Sequence, residues 1–164
     1  MRPRAKSEST RGKRGSAIAE MGPALFVLLV IIFFPMIDLM EVGAGYMMAQ
    51  SFHDSMLRAI AVSQPTGGTQ DPSIQTQATA ISNVTNSFAG SGFASFLHVQ
   101  ATDLQVTNVT YLPSAANPTT VQVSTSVSVA PFISIPYFSP VPGLNAPVIF
   151  TSTSQRPQEE LGKN

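Results

Sequence analysis

The sequence predicts an α+β protein with a long N-terminal helix, a second helix and a small antiparallel sheet of about three strands. Three features predict this class. A run of apolar residues without a charge lies between Glu20 and Asp38. Apolar residues then recur at three- and four-residue steps as far as Ala61, which is the period of an amphipathic helix. Residues 120–129 alternate strictly, which is the period of a half-buried strand.

The apolar run is long enough to cross a membrane. A helix rises about 1.5 Å per residue, so residues 16–40 cover the roughly 30 Å of a bilayer's hydrocarbon core. Pro23 lies near the first turn, where its missing N–H costs little. Pro35 is interior and is expected to kink or locally open the helix. We therefore predict a transmembrane helix over residues 16–40, with Asp38 and Glu41 at its outer end.

The balanced charge of the chain hides an asymmetry. Residues 1–15 hold six basic residues and one acid, a net charge of +5, whereas the remainder holds three basic residues and eight acids, a net charge of −5. Basic residues before a first span mark the cytoplasmic side. We expect a single-pass protein of a bacterial inner membrane, with residues 1–15 as a cytoplasmic leader and the C-terminal region in the periplasm or outside the cell.

The helical period continues beyond the span, so residues 41–62 are predicted to form an amphipathic stalk helix. Its apolar stripe is expected to pack on the globular part. Gly43 and Gly45 are small residues that would allow close approach of a second helix. The predicted stripe consists of Val42, Tyr46, Met47, Phe52, Met56, Leu57 and Ile60.

Residues 63–156 are predicted to form the extracytoplasmic α+β domain. After a loop over residues 63–73, a helix capped by Asp71 or Ser73 runs to Phe88, and Phe93, Phe96 and Leu97 fill the core. Residues 104–112 and 120–129 form a hairpin, whose first strand has a phase break between Val106 and Val109 that indicates a bulge or an early end of the strand. A proline-rich segment, residues 131–147, covers the domain with its apolar side chains. Residues 148–154 form a third strand, and residues 157–164 are a polar tail.

The start of the apolar run carries a short motif. Arg14-Gly15-Ser16-Ala17 is followed by Glu20, five residues after Gly15, and then by the proline-containing apolar run. This spacing resembles the processing site of type IV pilin precursors. The whole order of elements, ending in Thr151-Ser152-Thr153-Ser154-Gln155-Arg156, resembles the TadE-like pseudopilins of tight-adherence (Flp-type) pilus systems. Met21 departs from the family, which has an aromatic residue after the glutamate.

The resemblance implies a structural role in pilus biogenesis or a related secretion machine. A prepilin peptidase would cut between Gly15 and Ser16, and the apolar helix would stay in the product. A carboxylate beside the membrane core is costly unless it is paired or faces water. Glu20 would pair with the new amino group at Ser16 of the same or a neighbouring subunit; the alternative is that Glu20 sits among lipid headgroups and binds water. The implied partners are the membrane, the peptidase and other pilin or pseudopilin subunits.

Other functional classes find little support in the sequence. The chain has no cysteine, which excludes disulfides, thiolate zinc sites and cysteine nucleophiles. His53-Asp54-Ser55 contains the residue types of a catalytic triad, but adjacent helical residues point to different faces, so we interpret the tripeptide as a polar helix face. His98 has no second ligand at metal-binding spacing. We expect no enzymatic activity, no cofactor or metal, and no nucleic-acid or small-molecule ligand.

Two alternatives remain open from the sequence, besides a removable secretory signal. A secretory signal would be removed near Ala44-Gly45-Tyr46, although the apolar run is longer than an ordinary signal and retention is favoured. A signal-anchored envelope protein would keep its leader uncut and bind another partner through its domain. A membrane-tethered enzyme would need a pocket with converging polar groups, for which the chain has few candidate residues.

Overall fold

The computed structural model describes residues 21–65, 74–112, 120–132, 141–143 and 145–158. They form an α+β fold with three α-helices, a short 3-10 helix at Ala101–Asp103 and a three-stranded antiparallel sheet, which confirms the predicted class. Two compact units divide the chain, residues 1–37 and residues 38–164. Residues 1–20, which include the predicted leader, lie outside the described residues.

Helix α1 runs through Met21–Ala61 without a break. Within the first unit most of its large apolar side chains are exposed, among them Phe26, Ile31 and Phe33. A π-helical stretch occupies Leu29–Phe33, with the Phe34 N–H donating to the carbonyl of Leu29. Such stretches are rare inside α-helices, and this one ends two residues before Pro35. The predicted local opening of the helix therefore corresponds to a local change from α-helical to π-helical hydrogen bonding. The kink itself stays a prediction.

The second unit begins with the remainder of α1 and adds two short helices. Helix α2 is Gln77–Ala89 and helix α3 is Gly92–Phe96. The predicted start of α2 was wrong: Thr76 caps it, with its hydroxyl accepting from the Thr79 N–H at 3.3 Å. Residues 74–76 are not helical, because the backbone of Gln64 bonds to both Gln75 and Gln77 across the loop and holds the chain there.

The sheet has the order β1-β2-β3 and is antiparallel throughout. Strand β1 is Leu104–Leu112, β2 is Thr120–Val129 and β3 is Val148–Pro157. The bounds of β1 and β2 match the predictions, and the register shift between Val106 and Asn108 confirms the predicted bulge. Strand β3 continues three residues past Ser154, because its pairing with β2 extends to Pro157 opposite Thr120. The hairpin loop, residues 113–119, lies outside the described residues.

The core of the second unit lies between α1 and one face of the sheet. The inward face of β2 is buried at every second residue from Val121 to Val129, as the alternation predicts. Helix α1 runs parallel to β3 and in the same direction: Tyr46 contacts Phe150, and His53, further along the helix, bonds to Ser154. Other core members are Met48, Ala49, Phe52, Met56, Ile60, Ala61, Ala94, Leu97, Val99 and Leu104.

The buried face of α1 differs from the predicted stripe. Tyr46 and Met47 are 52% and 65% exposed, whereas Gly45 and His53 are buried. The prediction ranked positions by apolar size alone, but the sheet approaches the helix closely at a glycine: a Cβ on Gly45 would lie 2.9 Å from Cγ2 of Val129. The close approach that Gly45 permits is therefore with the sheet, rather than with a second helix as expected.

Two further expectations about core residues were wrong. Phe93 and Phe96 are 45% and 66% exposed. Helix α3 is a single turn that, together with its C-cap, presents Ala94 and Leu97, three residues apart, to the core, whereas Phe93 and Phe96 lie at other positions around the turn. Phe132, expected to cover the domain, is 59% exposed. Residues 133–140, the middle of the proline-rich segment, lie outside the described residues.

Candidate functional site

The predicted site residues fall in two groups. Gly15, Ser16 and Glu20 lie outside the described residues, so their roles in processing and charge pairing stay predictions. Pro35 lies in α1, partly buried, two residues after the π-helical stretch. The described residues add two polar clusters that the sequence analysis did not identify, one around His53 and one around Glu41.

The apolar surface of α1 is the first functional feature. The helix is long and apolar enough to cross a membrane by length and composition, and only 11% of its most apolar 18-residue window is buried. A core helix of a soluble protein would be mostly buried. Exposed apolar residues continue past the first unit at Leu39 and Met40, which are 67% and 68% exposed.

Two carboxylates at the start of the second unit, those of Asp38 and Glu41, are both buried. Asp38 is 0% exposed and Glu41 is 7% exposed. They lie three residues apart and therefore on one side of the helix. Glu41 Oε2 accepts a hydrogen bond of 2.5 Å from the N–H of Phe132, just after the end of β2. A buried carboxylate carries a desolvation cost, so this bond partly compensates for it.

His53 forms the second polar cluster. It is 1% exposed, with Nδ1 2.8 Å from Thr125 Oγ1 and Nε2 2.9 Å from Ser154 Oγ. The interpretation as a polar helix face was wrong for His53 and fits Asp54, which is exposed. Burial lowers the pKa of His53 below its ordinary value of 6.5, although the nearby charge of Asp54 acts in the opposite direction.

The His53 cluster joins α1 to the two strands β2 and β3 through neutral side chains. Each hydroxyl can donate or accept, so both ring nitrogens of a neutral imidazole are satisfied. The side chain of Gln50 extends the contact by donating to Ser152 Oγ at 3.3 Å. Asp54 points away from the imidazole face that binds the sheet, so the arrangement is a structural hydrogen-bond network and contains no relay from a carboxylate to a hydroxyl.

A signal for both clusters exists in the sequence. Thr125 stands at an inward position among the valines of β2, so a polar partner is required on the element that covers it. Counting back from the core residue Met48 in steps of three and four reaches Gly45, Glu41 and Asp38. This face of α1 mixes polar and apolar residues, and it was missed because only large apolar residues were counted.

Two further features of the described residues bear on metal binding and catalysis. Among the described residues there is no group of three or more His, Asp or Glu side chains that could hold a metal ion. A groove of about 410 Å³ between α1 and the region of α2 and α3 is lined by Met47, Met48, Ser51, Ser87, Phe88, Ser91 and Phe93. Its lining has hydroxyls but no titratable group, so it offers neither a general acid nor a base.

Comparison of the chain with protein-family models, with curated proteins and with solved structures finds no match in any of the three. The fold and the site geometry therefore stand on this chain's own residues. What they establish is an α+β domain that contains the C-terminal part of a long helix, whose N-terminal part is apolar, exposed and long enough to span a membrane.

Proposed function

We propose that the protein is a TadE-like pseudopilin, a structural subunit of a tight-adherence pilus or of a related secretion machine. The proposal rests mainly on one observation, that the two parts of helix α1 have different surroundings. Its first part exposes apolar side chains, and its second part, from Asp38 to Ala61, supplies the core of a small α+β domain. A subunit that is held in a membrane and then packed beside other subunits needs both parts.

The motif before the helix supplies the second support. Gly15 and Glu20 have the spacing of a pilin-type processing site, and the six basic residues of the leader favour a cytoplasmic N-terminus. In this proposal a prepilin peptidase cuts after Gly15 in the inner membrane. The domain faces the periplasm or the cell exterior and binds partner subunits. The Glu20 carboxylate pairs with the amino group at Ser16, which fixes the axial register between neighbouring subunits.

Retention of the helix is supported by the role of its residues in the domain. A signal peptidase cut near Gly45 would remove Asp38 and Glu41, both buried, and would leave Val129 without the helix surface that it contacts at Gly45. The product would lack part of its own core. A mature chain that begins at Ser16 keeps all of these residues.

The test is the intact mass and N-terminal sequence of the full chain extracted from membranes, with and without a co-expressed prepilin peptidase. We expect a new N-terminus at Ser16 that depends on the peptidase. Gly15→Leu should abolish the cut. Gly22→Ala, which changes a glycine with open space around its Cα, should leave it unchanged.

Other N-termini would contradict the proposal in different ways. A chain that keeps residues 1–15 with the active peptidase would indicate the signal-anchored envelope protein. A peptidase-independent cut near Gly45 would indicate a secreted protein and overturn the membrane assignment.

Glu20→Ala tests the assembly step separately. We expect the variant to insert into the membrane and to be processed, but to be recovered with partner subunits far less than the parent chain in a pull-down from detergent extracts. Asp54→Asn, which neutralises an exposed carboxylate of α1, is the matched control and should co-purify normally. Equal recovery of both variants would contradict the role of Glu20.

A further inference from the structure

Three segments of the second unit meet helix α1 at the outer end of the predicted membrane span. Glu41 Oε2 accepts a hydrogen bond from the N–H of Phe132, which follows β2. The turn that contains Gly143 approaches Val42, because a Cβ on this glycine would lie 3.1 Å from Cγ2 of the valine. The turn after α3 joins them through His98, whose ring centroid lies 5.9 Å from that of Phe132. The domain therefore begins at the level of the outer end of the span.

The distance between this end of the domain and the membrane follows from helix geometry. With the span ending at Met40, Glu41 and Val42 lie only about 1.5–3 Å further along the axis. The headgroup layer extends about 5–8 Å beyond the hydrocarbon core on each side of a bilayer. A backbone N–H that bonds to Glu41, and a turn in contact with Val42, therefore lie within the depth of this layer.

The side chains at this end suit such a position. Phe132 and Val141 are 59% and 41% exposed. His98, beside Phe132, is also exposed, and an imidazole combines an apolar ring with polar nitrogen atoms, as side chains at a membrane–water interface do. His98 has a φ of 54°, the left-handed conformation that favours glycine. A histidine is present there in spite of this preference, and it places its ring next to the exposed phenylalanine.

Helix α1 separates its polar and apolar side chains at the same level. Asp38 and Glu41 are buried in the domain, whereas Leu39 and Met40 are exposed. Burial keeps both carboxylates away from anionic lipid headgroups, whose surface potential is negative. The uncovered side of the helix stays apolar to the last residue of the predicted span, as contact with lipid requires. The exposed apolar surface of the span is thus continuous with that of the domain.

We propose that Phe132, Val141 and His98 form a membrane-contact surface, which lies in the headgroup layer of the bilayer that α1 crosses. Its occupant is lipid, because the surface lies where the helix leaves the hydrocarbon core and adjoins the exposed Leu39 and Met40. The apolar side chains insert toward the upper acyl chains, and the imidazole donates to a phosphate or ester oxygen. The domain is thereby held against the bilayer. This inference rests on the transmembrane part of the proposed function and not on the pilus role.

Single-tryptophan variants of the full chain test the contact, because the parent chain contains no tryptophan. Phe132→Trp and Val141→Trp are reconstituted into vesicles of phosphatidylcholine and phosphatidylglycerol, with and without bromine atoms on the upper part of the acyl chains. Bromine quenches indole fluorescence only at short range. We expect both variants to lose a large part of their emission in the brominated vesicles.

Two further positions calibrate the measurement. Leu39→Trp, at the outer end of the predicted span, should be quenched at least as strongly. Val62→Trp is the distal control, because Val62 is exposed and directly follows the end of α1, about 30 Å beyond Met40 along the helix axis. Its emission should be the same in both kinds of vesicle. Circular dichroism checks that each variant keeps the parent fold.

A second label removes the influence of tryptophan, which itself prefers the membrane interface. The chain has no cysteine, so a nitroxide can be attached to Phe132→Cys or to Val62→Cys alone. Oxygen dissolves in lipid, whereas a charged nickel complex stays in water. We expect the label on Phe132→Cys to collide more often with oxygen and the label on Val62→Cys to collide more often with nickel. This measurement also decides the matter if Phe132→Trp does not fold.

The proposal is overturned if Phe132→Trp or Val141→Trp is quenched no more than Val62→Trp while Leu39→Trp is quenched. The surface would then face water or a protein partner. An unquenched Leu39→Trp would overturn the transmembrane assignment, and this proposal with it. The experiment contains no prepilin peptidase and no partner subunit, so the pilus role is tested separately.

Discussion

Gly45 of helix α1 lies against Val129, the last residue of β2, so closely that no side chain fits between them. A Cβ on Gly45 would lie 2.9 Å from Cγ2 and 3.2 Å from Cγ1 of Val129. Valine is stiff at χ1 because its branch is at Cβ, so it cannot turn aside at low cost. The glycine therefore sets how closely the helix and the sheet pack.

The first prediction compares Gly45 with Gly43 on the same helix. No atom lies within 4 Å of a Cβ built on Gly43, so Gly43→Ala should stabilise the helix by about 1 kcal/mol. Gly45→Ala gains the same helix propensity, but its new methyl group overpacks the core, and overpacking costs about 1–3 kcal/mol. We expect thermal unfolding of the full chain in detergent, followed by circular dichroism, to show Gly45→Ala melting below Gly43→Ala. Equal melting temperatures would contradict the close contact.

A second prediction concerns the pH dependence that His53 confers. Because burial lowers its pKa, the folded protein binds this proton less readily than the unfolded chain, whose histidine titrates near 6.5. The contribution of His53 is therefore complete above about pH 6.5 and is lost as pH falls through the lowered pKa. Urea unfolding of the full chain in detergent, at pH values from 7.5 down to 5, should show the loss.

His53→Gln isolates this effect from that of other groups. Its free energy of unfolding should fall less than that of the parent chain between pH 7.5 and pH 5, because glutamine does not titrate. At pH 7.5 it should be less stable than the parent chain by about 1–3 kcal/mol, since the hydrogen bonds to Thr125 and Ser154 are not both reproduced. A difference between the two proteins that does not vary with pH would show that His53 does not titrate as described.

Leu97 and Phe96 provide a third, paired prediction. Leu97 is 0% exposed and Phe96 is 66% exposed, although phenylalanine is the larger apolar residue. Leu97→Ala should cost about 2–5 kcal/mol because it leaves a cavity in the core, whereas Phe96→Ala should change stability by about 0.5 kcal/mol or less. The denaturant midpoints of the two variants measure these losses of stability. A larger loss in Phe96→Ala than in Leu97→Ala would mean that α3 is turned so that Phe96 faces the core.

The N-terminal cap of α2 yields a fourth prediction. Thr76 accepts the N–H of Thr79, so Thr76→Ala should destabilise the protein by about 1 kcal/mol. Ser73, one of the caps expected from the sequence, lies outside the described residues and is the natural comparison: if Thr76 is the cap, Ser73→Ala should lower the unfolding midpoint less than Thr76→Ala does. A loss of stability in Ser73→Ala but not in Thr76→Ala would show that the helix begins earlier than Gln77.

The candidate sites were predictable to different extents. Spacing alone identified Gly15, Ser16 and Glu20 as site residues. Their roles stay predictions, and the processing experiment tests the predicted cut between Gly15 and Ser16. The clusters around His53 and Glu41 were not identified, because a polar residue becomes a core residue only when another element supplies a partner. Thr125 and Ser154 for His53, and the N–H of Phe132 for Glu41, are each at least 70 positions away along the chain.

The sequence by itself determined the elements of this protein: the apolar helix, the bulged β1, the alternating β2 and the α+β class, because each is encoded by a local period or by a break in one. Only the tertiary structure decided which side of α1 is buried. That choice rests on contacts between distant residues, where Val129 requires a glycine at position 45 and the hydroxyls of β2 and β3 require a hydrogen-bonding partner at position 53. Neither requirement can be seen in the hydrophobicity pattern of the helix alone.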